Sequence, residues 1–149
     1  MDFPARPSEP VTAPPDLAAA LGIVPVEVFV NAFNYLARLD SERSVRAVTP
    51  DMTLVSKLDR PGLIVTAPGD EDYDFVSRYF APKKGIPEDP VTGAAHCMLT
   101  PYWAELMRKT EFRAFQASPR GGEVHCRLNG DRVELKGACV FFLEGEIEY

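Results

Sequence analysis

Long apolar runs are absent from this 149-residue sequence, and nothing in it approaches the roughly 18 to 20 residues that a membrane-crossing helix needs. Met1-Asp2-Phe3-Pro4 offers neither the basic start nor the apolar stretch of a secretory leader, so a cytoplasmic chain without membrane attachment is expected. Basic clusters are scarce as well. Lys and Arg number 16 against 22 Asp and Glu, for a formal charge of -6, and the doublets Lys83-Lys84 and Arg108-Lys109 read as solvated surface. A nucleic-acid partner is disfavoured, because neutralising phosphates takes clustered cations. Three cysteines (Cys97, Cys126, Cys139) and two histidines (His96, His125) show no CxxC or HxxxH spacing. That argues against a disulfide framework and a metal site, and it predicts reduced, buried thiols.

What is present is the balance of an ordinary globular domain, 46% hydrophobic and 26% charged. Five of the 14 prolines fall in the first fifteen residues, which predicts an extended linker or crossover segment over residues 1–15 and a single domain over 16–149. Asp16 is placed to cap a short helix, Leu17 to Leu21, ended by Gly22. Val26 to Leu39 suits two short strands, Thr49-Pro50-Asp51 opens a helix running to about Leu58, and Leu63 to Thr66 is a buried strand. Tyr73 to Phe80 alternates as a strand with bulk on both faces. After Gly93, Ala95, Met98, Leu99, Tyr102, Trp103 and Leu106 recur at helical spacing on one face, with Pro101 expected to bend or break the helix. A meander closes the chain: Phe112 to Gln116, Glu123 to Leu128, a turn at Asn129-Gly130-Asp131, Val133 to Leu135, and Ala138 to Leu143.

The densest chemical signal is Gly85-Ile86-Pro87-Glu88-Asp89-Pro90-Val91-Thr92-Gly93-Ala94-Ala95-His96. Pro87 and Pro90 stiffen the backbone around the acidic pair, so a carboxylate is held without freezing a loose loop. Thr92 is a natural helix cap, and the small residues Gly93 and Ala94 leave first-turn N–H groups open to an anion such as a substrate carboxylate. A carboxylate beside such a helix start suits proton movement next to a carboxylate-bearing carbon. The same residues would equally serve as ordinary capping and packing.

The run E-D-P-V-T-G-A-A-H, followed by C-M-L-T-P-Y-W, resembles the signature of the phenazine-biosynthesis-like (PhzF-like) isomerases, whose usual pattern is E-D-P-x-T-G-S-A-H. Arg78-Tyr79-Phe80-Ala81-Pro82, Gln116-Ala117-Ser118-Pro119-Arg120-Gly121-Gly122, Asp131-Arg132-Val133 and Leu135-Lys136-Gly137 resemble further family segments in order. Asp2-Phe3-Pro4-Ala5 resembles the sequence after the interdomain crossing. The resemblance implies an α+β, diaminopimelate epimerase-like domain, a mixed or antiparallel sheet rolled around one central helix. It further implies cofactor-independent proton transfer on a small carboxylate substrate and a homodimer, with the present chain as the C-terminal of two domains. The family's E-x-N-x-S-E and G-H-A-T segments, which belong to the first domain, do not occur in this sequence. Asp89 matches the cleft aspartate and is the catalytic candidate. Thr92, Gly93, Ala94, Arg120 and Gly121 are the substrate-binding candidates, Ala94 standing where the pattern has serine. Glu88 is assigned to fixing the turn and His96 to packing, and Gly121-Gly122 serve either the ligand or a turn. Half of a two-domain isomerase site, completed by a complementary N-terminal half or a second copy, is one expectation. An inactive ligand-binding or interaction module is the other.

Overall fold

The computed structural model describes residues 1–70 and 72–147. Its strands are β1 (Asp2–Pro4), β2 (Glu9–Pro10), β3 (Glu27–Val30), β4 (Asn34–Arg38), β5 (Gly62–Pro68), β6 (Phe75–Ala81), β7 (Ile86–Glu88), β8 (Glu111–Gln116), β9 (Gly122–Asn129) and β10 (Arg132–Lys136). The helices are α1 (Leu17–Leu21), α2 (Glu42–Ala47), α3 (Met52–Val55) and α4 (Gly93–Met107). The strands join in the order β1-β10-β9-β8-β6-β5-β4-β3-β2, with β7 also paired to β6. The β4–β5 and β6–β8 pairs are parallel and the other pairings antiparallel, so the sheet is mixed.

The first residues show how strongly this sheet curls. Between β1 at one edge and β2 at the other lie only residues 5–8, a stretch that reaches at most about 18 Å even when fully extended. Nine strands side by side in a flat sheet would set those edges about 38 Å apart. The sheet therefore rolls into a nearly closed half-barrel. The expected linker is thus a crossover whose ends add a strand to each edge, β1 on β10 and β2 on β3. In between, the Ala5 N–H donates to Asp131 O and the Arg6 N–H to Cys97 O, both at 2.8 Å.

Inside the roll sits α4. Residues 95–100 are buried in an unbroken run together with Tyr102 and Trp103, so the helix is covered on nearly all sides rather than along the one face its spacing predicts. Leu36, Ile64, Phe75, Phe112, Cys126 and Leu135, from six strands, pack against it. Trp103 stacks on Phe75 with ring centres 5.6 Å apart, and its Nε1–H donates to Thr66 Oγ1 at 3.1 Å. On the outer face, α1, α2 and α3 cover Tyr35, Leu63, Val65, Val76 and Phe80. Two covered faces explain why β5 and β6 carry bulk on both sides.

Pro101 lies within α4 without ending it. A proline at 101 removes the N–H that would bond the Cys97 carbonyl, and the Arg6 N–H of the crossover takes that carbonyl instead. Other expectations also need correction. The Asp16 side chain makes no cap bond, because the residue itself is already helical in backbone angles. The α3 cap is Asp51, whose Oδ1 accepts from the Thr53 and Leu54 N–H groups, rather than Thr49. No strand forms over 138–143: Val140, Phe141, Phe142 and Leu143 are exposed, and the side of β10 on which a following meander strand would pair is occupied by β1. Cys97 and Cys126 are buried as expected, whereas Cys139 lies in this outer stretch and is exposed.

Candidate active site

The acidic turn is anchored on both sides before it reaches α4. Glu88, ending β7, forms a two-pronged ion pair with Arg78 of β6 at 2.7 and 2.9 Å, and Arg78 also donates to Val48 O at 2.6 Å. Both side chains are largely buried, so Glu88 is committed to fixing the turn. Asp89 follows with its N–H on Tyr79 O at 3.0 Å. Its half-buried carboxylate accepts the Thr92 hydroxyl at Oδ2, 2.6 Å away. The geometry corrects the simple capping role for Thr92. Its backbone is extended as a cap should be, but its side chain makes no cap bond. With that hydroxyl turned to Asp89, no protein acceptor among the described residues engages the N–H groups of Gly93 and Ala94.

Gln116, at the end of β8, joins this turn from across the sheet. It is fully buried and makes three bonds: Nε2 to Asp89 O at 2.6 Å, Nε2 to Thr92 Oγ1 at 3.1 Å, and Oε1 from the Thr92 N–H at 2.8 Å. Ser118 then ties the next turn to the first, donating to Pro90 O at 2.8 Å and accepting the Gly121 N–H at 3.1 Å. Gly121 has φ 69°, a left-handed conformation that favours glycine. A Cβ on Gly122 would collide with Val91 Cγ2, so glycine there permits the two turns to touch. Sequence reasoning gave neither Gln116 nor Ser118 a role, and no spacing signal marks a bond between residues 24 or 28 apart.

Arg120 and Gly121 line a cavity of about 620 Å³ together with Gly93, Val91, Leu135 and Lys136. Asp89, Thr92 and Ala94 are not among its walls, and Ala94 is exposed at the helix start. The structure thus brings Gly93, Arg120 and Gly121 to one cavity and holds Asp89 with Thr92 in the adjoining turn. His96 is fully buried, with Nδ1 2.8 Å from Thr92 O. Because a carbonyl only accepts, Nδ1 carries the proton, and burial lowers the affinity of the ring for a second one. It is a packing residue. Cys97 is buried in α4 with its thiol pushed up by desolvation, and it is unsuited to acid/base work. Among the described residues, no three His, Cys, Asp or Glu side chains cluster as metal ligands would.

The comparison with known proteins decides the family. The model of the phenazine biosynthesis-like proteins, PhzC-PhzF, matches residues 14–145. The chain belongs to this family. An uncharacterized isomerase of Pseudomonas aeruginosa is 47% identical over 147 residues, covering 99% of this chain and 56% of that protein. A second uncharacterized isomerase, from Halalkalibacterium halodurans, is 44% identical over 149 residues, again 99% of this chain and 56% of the relative. A PhzF-family phenazine biosynthesis protein from Enterococcus faecalis superposes with a TM-score of 0.85 at 42% identity, over 89% of this chain and 51% of that one. A PhzC/PhzF protein of Clostridium difficile gives 0.87 at 38%, over 100% and 57%. This PhzF-like chain therefore spans a little over half the length of the relatives it matches, and the family is isomerase-like by the names its members carry.

Proposed function

We propose that this PhzF-like chain forms one wall of a site for cofactor-independent proton transfer on a small carboxylate-bearing substrate, with a complementary half supplying the other wall. The observation that carries the reading is the Asp89 carboxylate, fixed by Thr92 Oγ1 at 2.6 Å beside the open first turn of a buried helix. In this reading the substrate carboxylate is held by the Gly93 and Ala94 N–H groups and by Arg120, whose turn Ser118 ties to Pro90. Such donors favour the charge that builds up when a neighbouring carbon loses its proton. Asp89 accepts that proton and returns it to another carbon, shifting a double bond, or a donor of the complementary half reprotonates the same carbon from the opposite face and inverts it, in either case with no net redox chemistry.

One observation favours a second reading, an inactive ligand-binding module. Ala94 stands where the resembling pattern has serine, and its methyl offers no hydrogen bond. A single neutral hydrogen bond contributes about 0.5 to 1.5 kcal/mol, which would retune binding rather than abolish it. The test is incubation in deuterated water with α-amino acids and β,γ-unsaturated carboxylic acids, with and without an N-terminal half bearing the E-x-N-x-S-E and G-H-A-T segments. Label on carbon, lost in Asp89→Asn, is expected when the half is added. Absence of label in every combination sinks proton transfer for those acids and leaves the binding module.

A further inference from the structure

The hydrogen bonds around Thr92 run in one direction, and the chemistry of each group forces it. The Thr92 N–H can only donate, so the Gln116 atom 2.8 Å away is the amide oxygen. The Asp89 carbonyl can only accept, so the atom reaching it at 2.6 Å is the amide nitrogen. These two contacts settle the amide orientation independently. The second hydrogen of the same nitrogen is then directed to Thr92 Oγ1, at 3.1 Å. A hydroxyl owns a single hydrogen, and with Gln116 engaging a lone pair, that hydrogen goes to Asp89 Oδ2. The 2.6 Å separation is the length of an O–H donating to a carboxylate. Among the described residues, Oδ1 meets no side-chain or backbone donor.

We propose that Gln116 is a positioning residue that, through the Thr92 hydroxyl, locks Asp89 Oδ2 as an acceptor and leaves Oδ1 as the oxygen that exchanges the substrate proton. This rests on the reading of Asp89 as the acid/base group. During the exchange, Oδ1 takes the proton, the C–H electron pair stays on the substrate, and the Oδ1–H bond later breaks to protonate another position. Gln116 and Thr92 keep their own hydrogens throughout. The lock is rigid because β8, which carries Gln116, is paired on both sides, to Ser77 of β6 and Gly122 of β9. No motion of the exposed loops is needed to set it.

Two measurements test this separately from the activity itself. In the 149-residue chain alone, proton NMR is expected to show a slowly exchanging Thr92 hydroxyl with cross-relaxation to the Gln116 amide. In the near-isosteric Gln116→Met, that hydroxyl is expected to exchange about tenfold faster or more, the loss of one buried partner. In Thr92→Ser the seryl hydroxyl should retain the slow exchange. An unchanged exchange rate in Gln116→Met overturns the proposal. With the N-terminal half and the acids above, Gln116→Met and Thr92→Val are each expected to lower turnover about tenfold with KM nearly constant, and Thr92→Ser to restore it. The double variant should be no slower than the slower single one, as for two links in series. Additive losses, or a rise in KM at constant turnover, overturn the relay. A held hydroxyl in a wild-type chain that labels none of these acids even with the N-terminal half added overturns the acid/base reading instead, and with it the role of Oδ1.

Discussion

His96 is held neutral by burial, with a folded midpoint below the ordinary histidine value of 6.5. Once unfolded, the ring protonates at about 6.5, so between the two midpoints the unfolded chain binds more protons. Its contribution to stability is therefore complete above pH 6.5 and is lost as the pH falls from there toward the folded midpoint. Urea unfolding at pH 7.5 and 5.0 should show the wild type losing more stability than His96→Leu, with a slope difference of up to about 1.4 kcal/mol per pH unit. The thiols make a second test. Desolvation pushes the Cys126 thiol up to about 12 and raises Cys97, while Cys139 is exposed. Iodoacetamide should modify Cys139 in the native chain and all three cysteines after denaturation. Glu88→Gln leaves the Arg78 cation largely buried without its partner and is expected to destabilise by about 3 kcal/mol in the same urea assay. At this scale the sequence disclosed which residues would gather, because Glu88 to His96 are contiguous and carry the family pattern. It could not disclose that Thr92 turns from the helix to Asp89, since that depends on Gln116 arriving from another strand.

Most elements were legible where the local pattern and the tertiary demand agree. The β3–β4 and β8–β9–β10 strands alternate or are rich in β-branched and aromatic residues, and each has a neighbour waiting. Where they disagree, the neighbour decides. Ala138 to Leu143 has strand chemistry but finds the open side of β10 held by β1, and Pro101 should interrupt α4 but the Cys97 carbonyl it orphans is adopted by Arg6. The helix α2 escaped notice because it is short and polar, with Ser41 accepting the Ser44 N–H as its cap and Arg46 paired to Glu42. Restoring an N–H in Pro101→Ala should create a rival for the Cys97 carbonyl. Hydrogen exchange is expected to show the Arg6 amide slow in the wild type and faster in the variant. Gly122→Ala drives a methyl into Val91 and should cost about 1 to 3 kcal/mol, with amide shifts spreading to the Asp89 turn.

Taken whole, the fold conveyed by the resemblance is the one observed, a mixed sheet rolled about one helix, because that architecture is written in ordered motifs along the chain. Its surface is less settled. Phe141 and Phe142 are 80% and 94% exposed, with Val140 and Leu143 beside them, a contiguous apolar run of the kind that drives association. Light scattering should show a mass that grows with concentration, and Phe141→Ser with Phe142→Ser should suppress that growth while leaving the melting temperature nearly unchanged. The crossover at residues 5–8 also sets an order of events in time. Asp2 pairs with Glu134, so the strand closing one edge must wait for a partner synthesised 132 positions later. Ring closure over so long a loop is entropically slow, and local hairpins such as β9–β10 can form well before it. On a ribosome the roll would stay unlatched until β10 had emerged, its two edges open to any chaperone or neighbouring chain that arrived first.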